Sequence, residues 1–167
     1  MKDQIALVTG ATRGIGRAIA LALAARGAKV IGTATSEAGA ATIREALSAT
    51  GGDGIVLDVT DGAALHAAVD RVVEQHRGLH ILVNNAGITR DNLSMRMKDD
   101  EWDAVHDTNL KAVFRASLAG RRADDLGAAR SERQRDRTAD AARGAGDEGD
   151  LVFHATRVLA SASVAGS

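Results

Sequence analysis

Residues 5–16 read IALVTGATRGIG, and this stretch decides which fold the chain adopts. Its first four residues form a continuous apolar run, which is typical of a strand buried on both faces of a parallel sheet. From Gly14 onward, apolar residues recur at three- and four-residue intervals until Arg26 and Gly27. This spacing predicts a helix of about three turns that ends at a glycine. A glycine-rich turn therefore connects a buried strand directly to a helix.

The alternation of buried strand and amphipathic helix continues through the first two thirds of the chain. Further strands are predicted at residues 29–35, 54–59 and 79–83, and further helices at 36–47 and around the stripe 65–73. A last amphipathic helix is predicted from a stripe of large apolar residues, namely Trp102, Val105, Leu110, Val113 and Phe114. Strands that alternate with helices indicate the α/β class, with right-handed crossovers and a doubly wound parallel sheet.

Composition and charge exclude several classes of protein. The 167 residues carry 21 Lys and Arg against 22 Asp and Glu, with 2% aromatic residues and no cysteine. This length fits one domain, and the balanced charge argues against a nucleic-acid or membrane-surface partner. The chain has no cysteine, and its five histidines are scattered without a paired carboxylate pattern, so we expect no metal site. No apolar run approaches the ~20 residues of a membrane helix and the N-terminus lacks a signal-peptide pattern, so we expect a cytoplasmic protein.

The glycine-rich turn predicts a dinucleotide site. Gly10 permits the tight turn, Gly14 lets a phosphate approach, and Gly16 lets strand and helix pack closely, with the pyrophosphate at the helix N-terminus. The second strand ends at Thr35 without a carboxylate that would repel a 2′-phosphate. Arg13 can bind that phosphate with its forked guanidinium, so we expect NADPH rather than NADH. A purely structural turn is the alternative.

Several linked motifs accompany this turn. They are T-G-x-x-x-G-x-G at residues 9–16, D-V-T-D at 58–61, N-N-A-G at 84–87 and T-N-L at 108–110. Over residues 1 to about 117 the sequence resembles the short-chain dehydrogenase/reductase family, and within it the 3-oxoacyl-[acyl-carrier-protein] reductases. The resemblance implies a Rossmann-like fold and NADPH-dependent reduction of an acyl carrier protein thioester, from 3-oxoacyl to 3-hydroxyacyl, in fatty acid biosynthesis.

The resemblance assigns cofactor contacts to two further segments. Asp58 and Val59 would flank the adenine, with the Asp58 carboxylate accepting a hydrogen bond from the adenine amino group. Residues 85–87 would run beside the adenosine ribose and the nicotinamide, although the two asparagines at this point can also close the fourth strand as a turn. The complete predicted cofactor set is Gly10, Ala11, Thr12, Arg13, Gly14, Ile15, Gly16, Thr35, Asp58, Val59, Asn85, Ala86 and Gly87.

The resemblance also predicts two catalytic residues and leaves two others without a counterpart. Asn109 matches the family's Asn that holds a proton-relay water, with the alternative that it bonds backbone locally and kinks its helix. Ser163 matches the Ser that orients the substrate carbonyl, because residues 157–166 resemble the family's fifth strand. The Tyr-x-x-x-Lys pair that donates the proton is missing, since the chain has no tyrosine and no lysine after Lys111.

The missing acid sets the functional expectation. We expect this polypeptide to reduce acetoacetyl thioesters slowly or not at all. A non-catalytic nicotinamide-nucleotide-binding fragment is the first alternative, and a chain that neither binds nor catalyses, because the sheet keeps an uncovered edge, is the second. The resemblance implies a homotetramer, with part of its assembly surface missing here.

The character of the sequence changes after Ser117. Residues 118–150 contain seven Arg and eight Asp or Glu, but only two Leu as large apolar side chains. We therefore divide the chain into an NADP-binding Rossmann-type domain, residues 1–117, and an atypical charged tail, residues 118–167, expected to be disordered. The later strands and helices of the fold are then incomplete. A truncated or frameshifted continuation would explain the absence of Lys, Ile and Asn there, and an Arg-rich RNA-binding tail is the remaining alternative.

Overall fold

A computed structural model describes residues 1–91 and 95–123 and the backbone of residues 160–161. The strands are β1 (Ile5–Val8), β2 (Lys29–Ala34), β3 (Asp53–Val56), β4 (Ile81–Asn84) and β5 (Ala160–Ser161). The helices are α1 (Gly14–Ala25), α2 (Glu37–Leu47), α3 (Gly62–His76), α4 (Asp99–His106) and α5, described over residues 112–123. A 3-10 turn spans Ser48–Thr50, and a π-helical turn at Asp107–Lys111 joins α4 to α5.

The strands form one parallel sheet in the order β3-β2-β1-β4-β5. Leu7 of β1 lies opposite Ile31 of β2 on one side and Leu82 of β4 on the other. The chain builds outward from β1 through β2 to β3 and then returns to the other side of β1, so the strand order reverses between β1 and β4. Ligands of such sheets bind outside the carboxyl ends of the strands at this reversal. The predicted Rossmann-like, doubly wound α/β fold is confirmed.

Two apolar clusters cover the two faces of the sheet. Successive residues of a strand point to opposite faces, and β1 follows this rule. Ala6 and Val8 are buried against α1 and α2, together with Leu23 and Ile43. Leu7 is buried on the other face with the apolar stripe of α3 and the alanines of α5. The candidate binding edge therefore stands on a sheet that is packed on both sides.

Short polar side chains begin two of the helices close to the predicted positions. The Ser36 hydroxyl accepts a hydrogen bond from the Gly39 amide at 3.2 Å and starts α2. The Asp61 carboxylate accepts from the amides of Ala63 and Ala64, at 2.9 and 3.0 Å, and starts α3. Both are side-chain caps of helix N-termini. The strand predicted to reach residue 59 instead ends at Val56, because the chain turns through Asp58 toward this second cap.

The predicted apolar stripe of the last helix is not its buried face, which is a correction to the sequence analysis. Trp102, Leu110 and Phe114 leave 56%, 64% and 63% of their surface exposed. A side chain added at Gly120 would meet Leu82 Cδ2 at 3.3 Å, so α5 lies too close to the sheet for large residues to fit between them. The face of α5 that packs against the sheet consists of small residues: Ala112, Ala116, Ala119 and Ala123.

Helix α5 continues past the predicted domain boundary at residue 117. Residues 118–123 remain helical, and Ala119 and Ala123 are 3% and 1% exposed within the core cluster. An apolar face of small residues was overlooked in the sequence because it contains no large apolar side chain. The first six residues assigned to the charged tail thus continue α5, with Ala119, Gly120 and Ala123 buried against the domain.

Most of the predicted tail, residues 124–159 and 162–167, lies outside the described residues. The candidate catalytic Ser163 belongs to that part. Strand β5 pairs in parallel with Val83 and Asn84 of β4, and it falls within the stretch that was compared with a fifth strand. Among the helices that the structure describes, none has the length and apolar character needed to span a bilayer.

Candidate functional site

The glycine-rich turn between β1 and α1 requires glycine at three positions. Gly10 and Gly14 have φ values of +66° and +56°, in the left-handed region that favours glycine. A side chain at Gly10 would meet the Ala86 backbone at 3.0 Å, and one at Gly16 would collide with the Gly10 carbonyl. At Gly14, by contrast, nothing in the described residues lies within 4 Å of the missing side chain apart from its chain neighbours and its own helix backbone. The turn is closed against the protein on one side and open on the other.

The N-terminus of α1 faces this open side. Arg13 is the N-cap residue in extended conformation; its side chain makes no capping bond, and the first turn of α1 contains no acidic residue. The first amides of a helix lack intrahelical acceptors and carry a partial positive charge. Arg13 itself is exposed, and Ile15 is 46% exposed. Backbone amides and a cation therefore meet at one place, which suits an anion.

Thr9 fastens the glycine turn to the turn that follows β4. Its hydroxyl donates to the Val83 carbonyl at 3.2 Å and accepts from the amides of Asn85 and Ala86 at 2.9 and 3.0 Å. Thr9 is 2% exposed, so these bonds are sheltered from water. The motif predicts no role for Thr9, although a hydroxyl directly after a buried strand is a signal for such a bond.

The side chain of Asn85 holds the glycine turn from the opposite direction. Its Nδ2 donates to the carbonyls of Thr9 and Gly10, each at 3.0 Å. The neighbouring Asn84 is buried and donates to the Ser117 hydroxyl of α5 at 3.3 Å. Neither asparagine has the left-handed backbone on which the turn-closing alternative was based. Because the amides of Asn85 and Ala86 are bound to Thr9, the groups at this turn that can face a ligand are Asn85 Oδ1 and the carbonyls of residues 85–87.

The end of β2 completes the wall beside the glycine turn. The Thr33 hydroxyl accepts from the Gly10 amide at 3.3 Å, and the Thr33 carbonyl accepts from the amide of the buried Ala11 at 3.0 Å. Thr12 is half-buried, and Thr35 lies exposed just beyond the strand. The nearest acid along the chain, Glu37, forms an ion pair with Arg44 on its own helix, at 3.7 Å.

The predicted adenine segment forms a tight turn after β3. One oxygen of the exposed Asp58 carboxylate accepts from the amide and the hydroxyl of Thr60, at 2.9 and 2.7 Å. Val59 is 7% exposed and packs in the cluster of α3 and α5. The Val59 side chain is therefore part of the core, whereas the Asp58 carboxylate remains on the surface.

Asn109 lies in the π-helical turn and reaches the segment that follows β4. Its Oδ1 accepts from the Ile88 amide at 2.9 Å, and its Nδ2 donates to the Ile88 carbonyl at 2.8 Å. A side chain at Gly87 would meet Asn109 Oδ1 at 3.2 Å. Asn109 therefore bonds a distant backbone rather than its own, and each polar atom of its amide group takes part in positioning that segment.

Asp107 and Lys111 form a charged pair in the same turn as Asn109, and His106 ends the preceding helix. The Lys111 ammonium, 2.9 Å from Asp107, lowers the pKa of the Asp107 carboxyl through that hydrogen bond. His106 stacks on Trp102 with ring centroids 4.1 Å apart, and its Nδ1 lies 2.9 Å from the Trp102 carbonyl. Within residues 1–91 and 95–123, no three His, Asp or Glu side chains gather as a metal site would require.

A small pocket opens between the carboxyl ends of β1 and β4 and the start of α5. It is lined by Thr9, Val59, Asn84, Ala86, Thr108, Ala112, Val113 and Ala116. The glycine turn, the Asn85 turn, Thr35 and Asp58 are thus brought to one edge of the sheet, whereas Ser163 lies outside the described residues. This edge offers amides and a guanidinium for an anion, but the side chains named above include no proton donor of the Tyr-Lys type.

The sequence is similar to reductases of known identity. Residues 4–125 match the family model of the short chain dehydrogenases. The 3-oxoacyl-[acyl-carrier-protein] reductase FabG of Escherichia coli (strain K12) is 60% identical over 122 residues, covering 73% of this chain and 50% of the relative. The reductase FabG of Vibrio harveyi is 56% identical over 119 residues, covering 71% and 48%. The chain spans about half the length of the curated relatives it matches.

The fold is similar to solved structures. A short chain dehydrogenase from Burkholderia cenocepacia J2315, in complex with NADP, gives a TM-score of 0.69 at 43% identity, over 74% of this chain and 51% of that one. A mutant short-chain dehydrogenase/reductase of Serratia marcescens also gives 0.69, at 36% identity, over 74% and 51%. The family model, these likenesses and the geometry agree, and the chain belongs to the short-chain dehydrogenase family.

Proposed function

We propose that this chain binds NADPH at the carboxyl edge of β1 and β4, as the cofactor half of a 3-oxoacyl-[acyl-carrier-protein] reductase. The observation that carries the proposal is the glycine turn. The space beside Gly14 is open, the first turn of α1 is free of acidic residues, and the turn lies where the strand order reverses. Amides at such a helix N-terminus stabilise a pyrophosphate. The NADP complex of the Burkholderia relative supports the same cofactor class.

The choice of NADPH over NADH is proposed from charge. Arg13 is exposed at the glycine turn, and a guanidinium binds a phosphate with two parallel hydrogen bonds. Glu37, the nearest acid after β2, is paired with Arg44 and so leaves the 2′-phosphate unopposed. Thr35 is exposed beside that position and is proposed as a further contact.

The remaining cofactor contacts are proposed on the two turns that follow β3 and β4. The Asp58 carboxylate is exposed, and in this proposal it accepts a hydrogen bond from the adenine amino group. The backbone of residues 85–87 takes the ribose and nicotinamide side, since the Asn85 amide nitrogen already holds the glycine turn. Asn109 keeps the adjoining segment in place through Ile88.

The proposed reaction divides between the cofactor and the protein. NADPH, when bound, supplies a hydride to the 3-oxo carbon of an acyl carrier protein thioester. The alkoxide that forms needs a proton donor, and the 167 residues include no tyrosine. The Asn109 amide already holds Ile88 through one bond on each of its polar atoms, so its first role in this proposal is to position that segment. We therefore propose that this polypeptide binds the cofactor but reduces the thioester very slowly.

Self-association is proposed through an exposed apolar stripe that runs from the π-helical turn along the outer face of α5. Leu110, Phe114 and Leu118 are spaced four residues apart and leave 64%, 63% and 46% of their surface exposed. An apolar stripe of this kind marks an interaction surface. We propose that it supports the homotetramer that the family resemblance implies. A Phe114→Glu variant should then sediment as a smaller species than the unmodified chain, and an unchanged sedimentation coefficient would refute the assignment.

Nucleotide titration of the full chain tests the proposed function. We expect saturable NADPH binding, with Arg13→Ala weakening it about tenfold and leaving NADH binding nearly unchanged. Arg17→Ala is the matched control, because Arg17 is also exposed and lies one turn further along α1. Absence of saturable NADPH binding by the folded chain would overturn the proposal, and an equal effect of both substitutions would overturn the NADPH assignment.

A non-catalytic nicotinamide-nucleotide-binding fragment is the second candidate function. The observation that favours it is the missing tyrosine. Binding of NADPH without its oxidation in the presence of acetoacetyl-coenzyme A would support this candidate. Oxidation at a rate close to that of a full-length reductase would exclude it.

A further inference from the structure

The turn after β3 contains a hydrogen-bond arrangement that the motif comparison leaves without a role. Asp58 Oδ1 accepts two hydrogen bonds, and both come from Thr60: one from its amide at 2.9 Å and one from its hydroxyl at 2.7 Å. Among the described residues, no protein donor is recorded on the other oxygen, Oδ2. One side of the carboxylate is thus saturated while the other is left for a ligand.

Thr60 also makes a hydrogen bond to a side chain of α5. Its carbonyl accepts a hydrogen bond at 3.3 Å from Nη1 of Arg115, which lies on α5 and is partly buried. A side chain at Gly62 would come within 3.3 Å of the same nitrogen, so the missing side chain leaves room for the guanidinium. The main chain closes the turn with a bond from the Asp61 amide to the Asp58 carbonyl at 3.2 Å. All three polar groups of Thr60 therefore have a protein partner.

These contacts restrict the torsion of the Asp58 side chain. A carboxylate that accepts two hydrogen bonds on one oxygen cannot turn about its last bond without breaking both of them. Charge-assisted hydrogen bonds of this length are stronger than neutral ones. The orientation of Oδ2 is therefore fixed before a ligand arrives, and less side-chain entropy is lost on binding.

We propose that Thr60, braced by Arg115, is a positioning residue that aims Asp58 Oδ2 at the 6-amino group of the cofactor's adenine. This inference rests on the proposed function and deepens it, since it assigns the recognition of the purine to a residue that makes no contact with it. Adenine presents a donor at position 6, whereas hypoxanthine presents an acceptor that a carboxylate repels. Thr60 therefore sets the preference for a 6-aminopurine over a 6-oxopurine nucleotide.

The substitutions separate the hydroxyl of Thr60 from its shape. Thr60→Val removes the hydroxyl and keeps the branched side chain, whereas Thr60→Ser keeps the hydroxyl and removes the methyl group. Arg115→Met removes the guanidinium and leaves Thr60 in place. Because loss of the brace leaves both Thr60 bonds to Asp58 possible, we expect a smaller effect from Arg115→Met than from Thr60→Val.

The experiment compares dissociation constants of the full chain for NADPH and for its reduced hypoxanthine analogue. We expect the unmodified chain to bind NADPH about tenfold more tightly than the analogue, since one charge-assisted hydrogen bond is at stake. Thr60→Val should reduce that ratio to about threefold or less by weakening NADPH binding alone. Thr60→Ser should keep the original ratio, and Arg115→Met should give an intermediate one.

Each other outcome contradicts the inference at a defined point. If Thr60→Val weakens both nucleotides equally, or Thr60→Ser behaves like Thr60→Val, the positioning role is refuted while the cofactor site stands. If the unmodified chain binds both nucleotides equally well, Asp58 does not distinguish an amino group from an oxo group at position 6 of the purine. If it binds neither nucleotide, the proposed function fails and this inference fails with it.

Discussion

Two regions at the carboxyl edge of the sheet are held in different ways. The cofactor edge, residues 9–16 and 84–87, is fixed by a buried hydroxyl of Thr9 that bonds three backbone groups and by the two bonds of Asn85 Nδ2. The π-turn edge, Ile88 with residues 107–111, depends on two bonds of the exposed Asn109. Buried and partly buried bonds hold the cofactor edge, whereas the bonds of the π-turn edge are exposed. The loss of a polar side chain should therefore cost more stability at the cofactor edge than at the π-turn edge.

The largest effect is expected from a side chain inside the cofactor edge. Gly16→Ala places a methyl group against the Gly10 carbonyl and the Asn85 amide nitrogen, which are hydrogen-bonded to each other. We expect the free energy of unfolding in urea to fall by about 3 kcal/mol, as overpacked sites show. Ala22→Ser, on the exposed face of α1, is the control. A loss no larger than that of the control would mean that the turn is not closed as described.

A slightly smaller effect is expected when the buried hydroxyl is removed. Thr9→Val leaves the amides of Asn85 and Ala86 without their acceptor, and we expect a loss of about 2 kcal/mol in unfolding free energy. Thr42→Val is the matched control, since that exposed hydroxyl bonds only the Ala38 carbonyl, and it should cost less than about 0.5 kcal/mol. Similar losses at both threonines would break the contrast between the two regions.

The π-turn edge should respond more weakly. Asn109→Ala removes both bonds to Ile88, and because they are exposed we expect a loss of about 1 kcal/mol in unfolding free energy. NADPH affinity should fall severalfold with it. Lys111→Ala, in the same turn, is the control and should change stability by less than about 0.5 kcal/mol. A cost for Asn109→Ala equal to that of Thr9→Val would show that both regions are equally fixed.

The smallest effect concerns a single titration at the π-turn edge. The hydrogen bond from Lys111 lowers the pKa of Asp107 from its ordinary value near 3.8. A carboxyl with a lowered folded-state pKa adds stability above the ordinary value, and this is lost as the pH falls through the folded-state value. Lys111→Met should therefore raise the pKa of Asp107 in an NMR titration. Lys2→Met is the distant control, and an unchanged Asp107 pKa would contradict the assignment.

The sheet and the glycine turn could be predicted because their signals are local. The run at residues 5–8 and the spacing from Gly14 onward each specify one element, and parallel strands joined by helices leave few topologies. The face of α5 could not be predicted in this way. Large apolar residues indicate a buried stripe only when the packing distance admits them, and the close approach at Gly120 admits only small ones. The distance between α5 and the sheet is set only when the two pack together, so it could not be predicted from the sequence of the helix.

The hydrogen-bond partners within the candidate site were also beyond sequence reasoning. Asn85 was expected either to contact a ligand or to close a turn, and its amide nitrogen proves to hold the glycine turn across 75 residues of chain. Arg115 and Thr60 are hydrogen-bonded although they are 55 residues apart in the chain. None of the four sequence motifs predicts this contact. Motifs specify which residue types gather at an edge, whereas the partners of each polar atom follow from register and from helix position.

We propose that this chain binds NADPH but has no tyrosine to protonate the reduced substrate. The most direct test measures both properties on one sample of the full chain, with NADPH binding followed by fluorescence and NADPH oxidation followed with acetoacetyl-coenzyme A. We expect saturable binding and a turnover rate far below that of a full-length relative. Turnover close to that of the relative, or a folded chain that does not bind NADPH, would contradict it.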